Sequence, residues 1–335
     1  MAKITFGFGT SHSPLLNTPA ESWDLRAGDD MKNPAHPFRG REYSFDELVE
    51  LRKGENLAEQ NAMPVREQRY AKCQEHLKFL GEKLEQAAPD ILVIMGNDQR
   101  EAYMPDHTPA FLVYCGENMV TRGITKEQLA RMNPGIAVAA KRTLGQPERQ
   151  YAGVPDLAQH LFDELIDDFD LSSSDQFTTP GGETRGTPHA FSFIFRRIMN
   201  GQALPILPIF TNTFFPPNQP KSKRVIEFGK AVGKAIASWD SDKKVAVAAT
   251  GGLSHFVIDE ELDRRLLDAI AARDETAIIN EPEANLQSGT SELKNWIATM
   301  GVTDATGLEF QEVDYIPCYR SVAGTGNAMA FGLWA

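Results

Sequence analysis

The sequence predicts an α/β fold: a three-layer α/β/α single domain with a central sheet that is mostly parallel or mixed. Three observations carry that expectation. Short apolar runs of strand length alternate with amphipathic stretches of helical period. The side chains able to bind metal or move protons stand just past those runs, where open α/β sheets bind their ligands. With 335 residues, 41% of them hydrophobic, the chain can build a substantial core.

The first strand is Lys3-Ile4-Thr5-Phe6-Gly7-Phe8-Gly9, followed by Thr10-Ser11-His12-Ser13-Pro14. A long polar loop is expected from Asn17 to Arg41, interrupted by Pro19, Pro34 and Pro37, a length typical of functional covers. Phe45 to Leu51 reads as a helix. From Val65 to Ala87, Tyr70, Leu77, Leu80 and Leu84 recur at helical spacing, and Pro89-Asp90 stops the run before a strand at Ile91 to Met95. A second strand is expected at Ala110 to Tyr114. Gly116 to Val154 is polar and short on periodicity, and reads as an insertion or lid.

Beyond it the alternation resumes. Leu157 to Phe169 reads as a helix, Leu204 to Phe210 as a strand, and Lys223 to Trp239 as a helix with Val225, Phe228, Val232 and Ile236 on one face. Val245 to Thr250 is a further strand. Asp259 to Arg273 starts acidic and ends basic, as the helix dipole favours. No repeat, low-complexity tract or linker divides residues 1–335, so one unit is expected.

A net charge of -12 argues against tracking nucleic-acid phosphates, which leaves small molecules or other subunits as partners. Cys73, Cys115 and Cys318 are odd in number and fit no CxxC pattern, which suits a reducing compartment. With neither a signal-like N-terminus nor a bilayer-length apolar stretch, a cytoplasmic location and no membrane partner are expected.

Two histidines at two strand ends suggest one shared site. His12 is the first metal-ligand candidate, because two imidazoles and one carboxylate on one face leave positions open on a ferrous ion; the plainer alternative is a loop histidine satisfied by nearby backbone. His255 ends Gly251-Gly252-Leu253-Ser254-His255, where glycines allow close approach and an imidazole could exchange protons near neutral pH; a simple strand-to-helix turn would read the same. Glu292 falls where Thr290 or Ser291 would cap a helix, a position that by physics alone suits a solvated charge. Gly7-Phe8-Gly9 lacks the third glycine of a dinucleotide loop, and Ser11 sits in no GxSxG elbow.

Taken in order, several segments resemble the class III extradiol ring-cleaving dioxygenases, the superfamily containing the catalytic subunit of protocatechuate 4,5-dioxygenase. They are Thr10-Ser11-His12-Ser13-Pro14, Asn97-Asp98-Gln99, Phe210 to Pro217, Thr250 to His255, Ser288-Gly289 with Glu292-Leu293 and Trp296, and Tyr315-Ile316-Pro317. They extend over nearly the whole chain. The resemblance implies that His12 and Glu292 hold non-haem Fe(II), that His255 is the acid/base residue, and that O2 is co-substrate in opening a hydroxylated aromatic ring. It also makes Asn212 a substrate contact.

Two departures from the family pattern stand out. Where the family has Asn-Asp-His, this chain has Asn97-Asp98-Gln99: either Gln99 is itself a ligand, or His36 or His107 replaces the missing imidazole, or the metal site is altered. Where the family has Asp-His-Gly, Arg185 precedes Gly186, and His189 follows four residues after Arg185; His189 could serve catalysis, and Arg185 could grip a substrate carboxylate. The family's small helical subunit is expected not to be fused after Trp334-Ala335, so a partner subunit or the 17–41 loop is expected to cover the pocket, and a homo-oligomer is a further possible assembly. The rival readings are a metal-dependent hydrolase or lyase on the same scaffold, and a non-catalytic member with an altered metal site.

Overall fold

Ile91-Leu92-Val93-Ile94-Met95-Gly96 is buried at every position, as a strand must be when both its faces are covered. In the computed structural model, which describes residues 1–144, 147–177, 186–199 and 201–335, successive side chains of this strand enter two different cores. Ile91, Val93 and Met95 meet one apolar cluster, Leu92 and Ile94 the other. That alternation is the signature of a sheet between two helical layers.

In chain order the strands among the described residues are β1 (Lys3–Thr10), β2 (His36–Phe38), β3 (Arg41–Tyr43), β4 (Ile91–Gly96), β5 (Phe111–Tyr114), β6 (Asn118–Thr121) and β7 (Arg149–Ala152). Then come β8 (Leu171–Ser174), β9 (Ile206–Thr211), β10 (Lys244–Thr250), β11 (His255–Val257), β12 (Phe310–Tyr319) and β13 (Thr325–Trp334). The main sheet runs β11-β13-β1-β10-β4-β9-β5-β8, with β12 on the other edge of β13. Its centre is parallel, through β1–β10, β10–β4 and β4–β9, while β5 against β9 and the C-terminal strands are antiparallel. The sheet is therefore mixed, as expected.

One layer is built from helices Pro155–Leu165, Ser222–Ser238, Glu260–Ala272 and Leu293–Val302, whose Leu161, Phe228, Leu266 and Trp296 share a core with Val93 and Val247. The other holds Met63–Ala87 and His189–Arg197, which bring Leu77, Leu80, Phe191 and Ile194 against Leu92 and Ala246. Among the described residues no helix is long and apolar enough to cross a membrane.

The structure corrects the expectation of a loop at 17–41. The segment forms a helix at Trp23–Asp30 and a hairpin of β2 with β3, entered through 3-10 turns at Pro14–Asn17 and Ala20–Ser22. Trp23 is the reason: it is buried, and its indole N–H donates to the Thr18 carbonyl at 2.9 Å. The helix is closed by Asp30, which receives a two-pronged grip from the buried Arg320 at 2.6 and 2.9 Å. Within 116–154, β6 and β7 pair antiparallel, and helices Lys126–Ala130 and Pro134–Leu144 lie between them. The second of these packs on the helix at 23–30 and on the turn at 14–17.

Candidate active site

β1 and β10 are neighbours in parallel register, Thr10 opposite Thr250, so the residues just past both strands come together. His12 follows the first. After the second, the chain turns through Gly251 and Gly252 and re-enters the sheet as β11, which places His255 opposite Asn327 of β13.

Glu292 stands between these histidines. It ends a 3-10 turn, Ser288–Glu292, just before helix Leu293–Val302, and is 4% exposed, so the solvated first-turn carboxylate considered above is excluded. Nor do Thr290 and Ser291 act as caps. Thr290 Oγ1 accepts the His255 backbone N–H at 3.1 Å and donates to the His255 carbonyl at 3.0 Å, fastening the turn to β11. Glu292 Oε1 lies 3.3 Å from His12 Nε2, and Oε2 lies 3.7 Å from His255 Nε2. The Gly252 N–H donates to Oε2 at 2.9 Å, and Asn97 Nδ2 to Oε1 at 3.3 Å. Burial alone would raise this carboxyl's pKa; the His12 imidazole and the Gly252 N–H outweigh it and hold the group well below the usual carboxylate range.

The far side of each imidazole is fixed. Thr250 Oγ1 donates its hydrogen to the Ala190 carbonyl at 3.0 Å, so its remaining capacity at 2.9 Å from His12 Nδ1 is as acceptor. His12 therefore donates from Nδ1 and turns Nε2 toward Glu292, where it can share a proton with the carboxylate or ligate an ion. His255 Nδ1 donates to the Leu253 carbonyl at 2.7 Å, which leaves its Nε2 bare. Burial lowers the His255 pKa, Glu292 opposing, so the ring is a neutral base. Its seat requires Gly289, where an added Cβ would stand 2.1 Å from the ring's Cδ2.

His189 opens helix His189–Arg197, and its ring meets that of His12 edge-on with centroids 4.8 Å apart. Its Nδ1 is paired with Glu101, whose other oxygen accepts the His189 backbone N–H at 2.9 Å. Burial acts to lower its pKa, but the Glu101 carboxylate raises it to about 9. Glu101 in turn is held low by His189 against the opposing effect of its burial.

These groups line a cavity of about 330 Å³ with Ser13, Pro14, Arg26, Gln99, Ile136, Phe214, Phe256 and Asn327. A second lobe of about 290 Å³ shares His12, Pro14, Ile136 and His189 and continues past Glu101, Met132, Ala139, Ala140 and Phe193.

Of the residues singled out from the sequence, His12, Gln99, His189, His255 and Glu292 thus share one cavity. Gln99 Nε2 is 3.5 Å from Glu292 Oε1, and the other face of the same amide carries an oxygen donor. His36 and His107 do not replace the missing imidazole. His36 is buried against Phe45 with Nε2 on the Asp30 carbonyl, and His107 is exposed on a turn. Asn212 is also elsewhere: Nδ2 donates to the carbonyls of Phe215 and Asn218, and Oδ1 accepts the Phe215 N–H, so the side chain folds its own turn and it is Phe214 that reaches the cavity. Arg185 lies outside the described residues. Arg26, Glu101, Thr250 and Thr290 were missed; only Thr250, ending a strand beside the glycines, carried any local signal.

Among the described residues no group of three or more His, Cys, Asp or Glu is arranged to hold a metal ion. The donors that fit one are His12 Nε2 and the Glu292 carboxylate, whose 3.3 Å separation suits adjacent ligands, each about 2.0–2.2 Å from a common ion. Gln99 lies next to Glu292 and brings a neutral amide to the same wall of the cavity.

Residues 59–329 match a family model described as the catalytic LigB subunit of aromatic ring-opening dioxygenase, a stretch that begins beyond His12 and contains Gln99, His189, His255 and Glu292. A 2,3-dihydroxyphenylpropionate/2,3-dihydroxicinnamic acid 1,2-dioxygenase of Photorhabdus laumondii is 28% identical over 176 residues, 52% of this chain and 46% of the relative. One of the same name from Xanthobacter autotrophicus is 31% identical over 132 residues, 37% of this chain and 38% of the relative. The chain thus spans less than half the length of either relative. With the family model covering most of the sequence, the chain belongs to the LigB family of catalytic subunits of aromatic ring-opening dioxygenases.

Proposed function

We propose that this chain is an Fe(II)-dependent extradiol-type dioxygenase that inserts both atoms of O2 into a hydroxylated aromatic substrate and opens its ring. The observation that carries the reading is the convergence of His12, Glu292 and His255 on one cavity with the Nε2 of each histidine turned to the carboxylate. His12 and Glu292 would hold the ion, with the Gln99 amide oxygen as third donor. An ion held there would supply Lewis-acid and redox chemistry toward a diol and O2, while the protein side chains would orient the substrate and move its protons.

The protein's own part is proton handling and exclusion of water. His255, neutral and accepting at Nε2, takes a proton from a substrate hydroxyl and returns it to product. His189, kept protonated by Glu101, offers a positive donor to negative charge that develops in the cavity. Phe214, Phe256 and Ile136 supply apolar wall, and the 116–154 segment is the candidate lid. A small accessory subunit or a second copy remains a further partner to look for, and the expected setting is cytoplasmic.

The test is oxygen uptake by anaerobically iron-loaded protein offered catechols and other hydroxylated aryl acids. Consumption of one O2 per ring opened is expected, and His255→Ala should lower kcat by about 10²–10⁴-fold while leaving iron content unchanged. Gln99 favours one second reading, a metal-dependent hydrolase or lyase, since an amide is a weak partner for iron; turnover under strict anaerobiosis would establish that reading instead.

A further inference from the structure

The cavity contains a cation that the reaction just described does not use. Arg26 projects from helix Trp23–Asp30 and lines the same lobe as His12, Glu292 and His255. Among the described residues it makes no ion pair within 4 Å, and its Nε is buried without a hydrogen-bond partner. The nearest carboxylate candidates do not supply one. Asp30 is consumed by Arg320, and its Oδ2 also accepts the Thr325 hydroxyl at 2.6 Å. Asp29 lies close enough to favour the charge but outside ion-pair distance.

The side chain is nevertheless held in place. An added Cβ at Gly135 would stand 2.6 Å from Arg26 Cδ and 2.7 Å from Cγ, so the arginine stem runs directly beneath the first turn of helix Pro134–Leu144, and only glycine there leaves it room. Burial and the neighbouring Arg320 lower the Arg26 pKa to about 10, which still leaves it charged at neutral pH. A partly buried guanidinium with unfilled donors is costly unless an anion arrives. On the lining of the same lobe, Asn327 Oδ1 accepts from Arg320 Nη1 at 2.9 Å, which leaves Nδ2 as the end of that amide with hydrogens to offer.

We propose that Arg26 determines the specificity of this cavity, its guanidinium receiving the carboxylate of an aryl or arylalkyl acid with Asn327 as a second donor, so that neutral phenols are poor ligands. A guanidinium fork matches a carboxylate through two parallel hydrogen bonds. The assignment rests on the ring-opening reading for the role of the bound acid, but the anion site itself does not depend on it.

The experiment is calorimetric titration of the full chain with 3-phenylpropionate and with its neutral isostere 3-phenylpropanamide, neither of which has a diol to react. The parent should bind the acid about 10- to 100-fold more tightly, the range expected of hydrogen bonds to a charged group. Arg26→Gln should erase that preference, Arg26→Lys should keep part of it, and Arg41→Gln, on an exposed strand residue, should leave it intact; thermal unfolding checks that each variant folds. Equal binding of acid and amide by the parent, or a preference that survives Arg26→Gln, overturns the proposal. No O2 uptake with any diol acid, alongside an intact Arg26-dependent preference, would refute the dioxygenase reading and leave the anion site standing.

Discussion

The floor and the rim of the cavity are built on different terms. On the floor, every polar side chain is secured from behind: His12 by Thr250, His255 by Leu253, and Glu292 by Gly252 and Asn97. These residues follow from β1 and β10, the two central parallel strands, and from the turn that Thr290 ties to β11. The rim comes from helices Trp23–Asp30 and Pro134–Leu144 and the turn before the second, and it offers Met132, Ile136, Ala139 and Arg26, which has no ion pair among the described residues. Chemistry that tolerates little displacement sits on the sheet, and the surfaces that would select a substrate sit on segments laid over it.

The largest effect should come from breaking the floor at its centre. Glu292→Gln keeps the shape but removes the charge that both imidazoles face, so iron retention should fall by at least about 100-fold, beyond what a merely orienting residue is worth. Competition with a chelator measures it, and unchanged retention would show that the ion, if any, is held elsewhere. Thr250→Val should do less, about 10- to 100-fold in iron affinity, because it removes only the acceptor that fixes His12 Nδ1–H. If Thr250→Val has no effect, the securing of the floor from behind is not functional.

Much of the floor was legible in the sequence, and little of the rim. His12 and His255 could be found because each follows an apolar run, and apolar runs of strand length survive as strands when both faces are buried, as β4 and β10 show. Helix Met63–Ala87 announced itself by the spacing of Leu77, Leu80 and Leu84. Residues 17–41 gave no such period, because Trp23 is buried by a tertiary fit and Asp30 is held by Arg320, 290 positions away in sequence. Arg26 was hidden with them. Glu292 looked like a surface charge, since nothing local says that a 3-10 turn will be pressed against β11. Strand β12, with Pro317 inside it, reads poorly as a strand and is possible because it lies on the sheet's edge.

Floor rigidity can be probed by pH through Asp263. This carboxylate is buried behind the His255 turn, accepting from the Ser254 backbone N–H at 2.8 Å, the Ser254 hydroxyl at 2.6 Å and the Tyr315 hydroxyl at 2.7 Å. Burial lifts its pKa to about 7 despite those donors. The unfolded chain loses this proton near its ordinary value of about 3.9, whereas the folded chain keeps it until about 7. Stability from this group is therefore present at low pH and is lost as pH rises from roughly 4 to 7, by at most about 1.4 kcal/mol per pH unit, with no further change above that window. Urea unfolding across pH 4–8 should show this slope in the parent and a flatter one in Asp263→Asn; parallel curves would mean the carboxyl is ionised throughout.

The smallest effect should come from the rim. Ile136 borders both lobes of the cavity yet is only half-buried, so Ile136→Ala removes wall without removing any group that handles a proton. Lost apolar contact of that size costs about 1–2 kcal/mol of substrate binding, which should raise KM by about 5- to 30-fold and leave kcat alone. A fall in kcat at unchanged KM would mean something different: that helix Pro134–Leu144 keeps water from the His255 and Glu292 side of the cavity during the reaction. The rim would then take part in the chemistry, and the division between a sheet that reacts and a cover that selects would no longer hold.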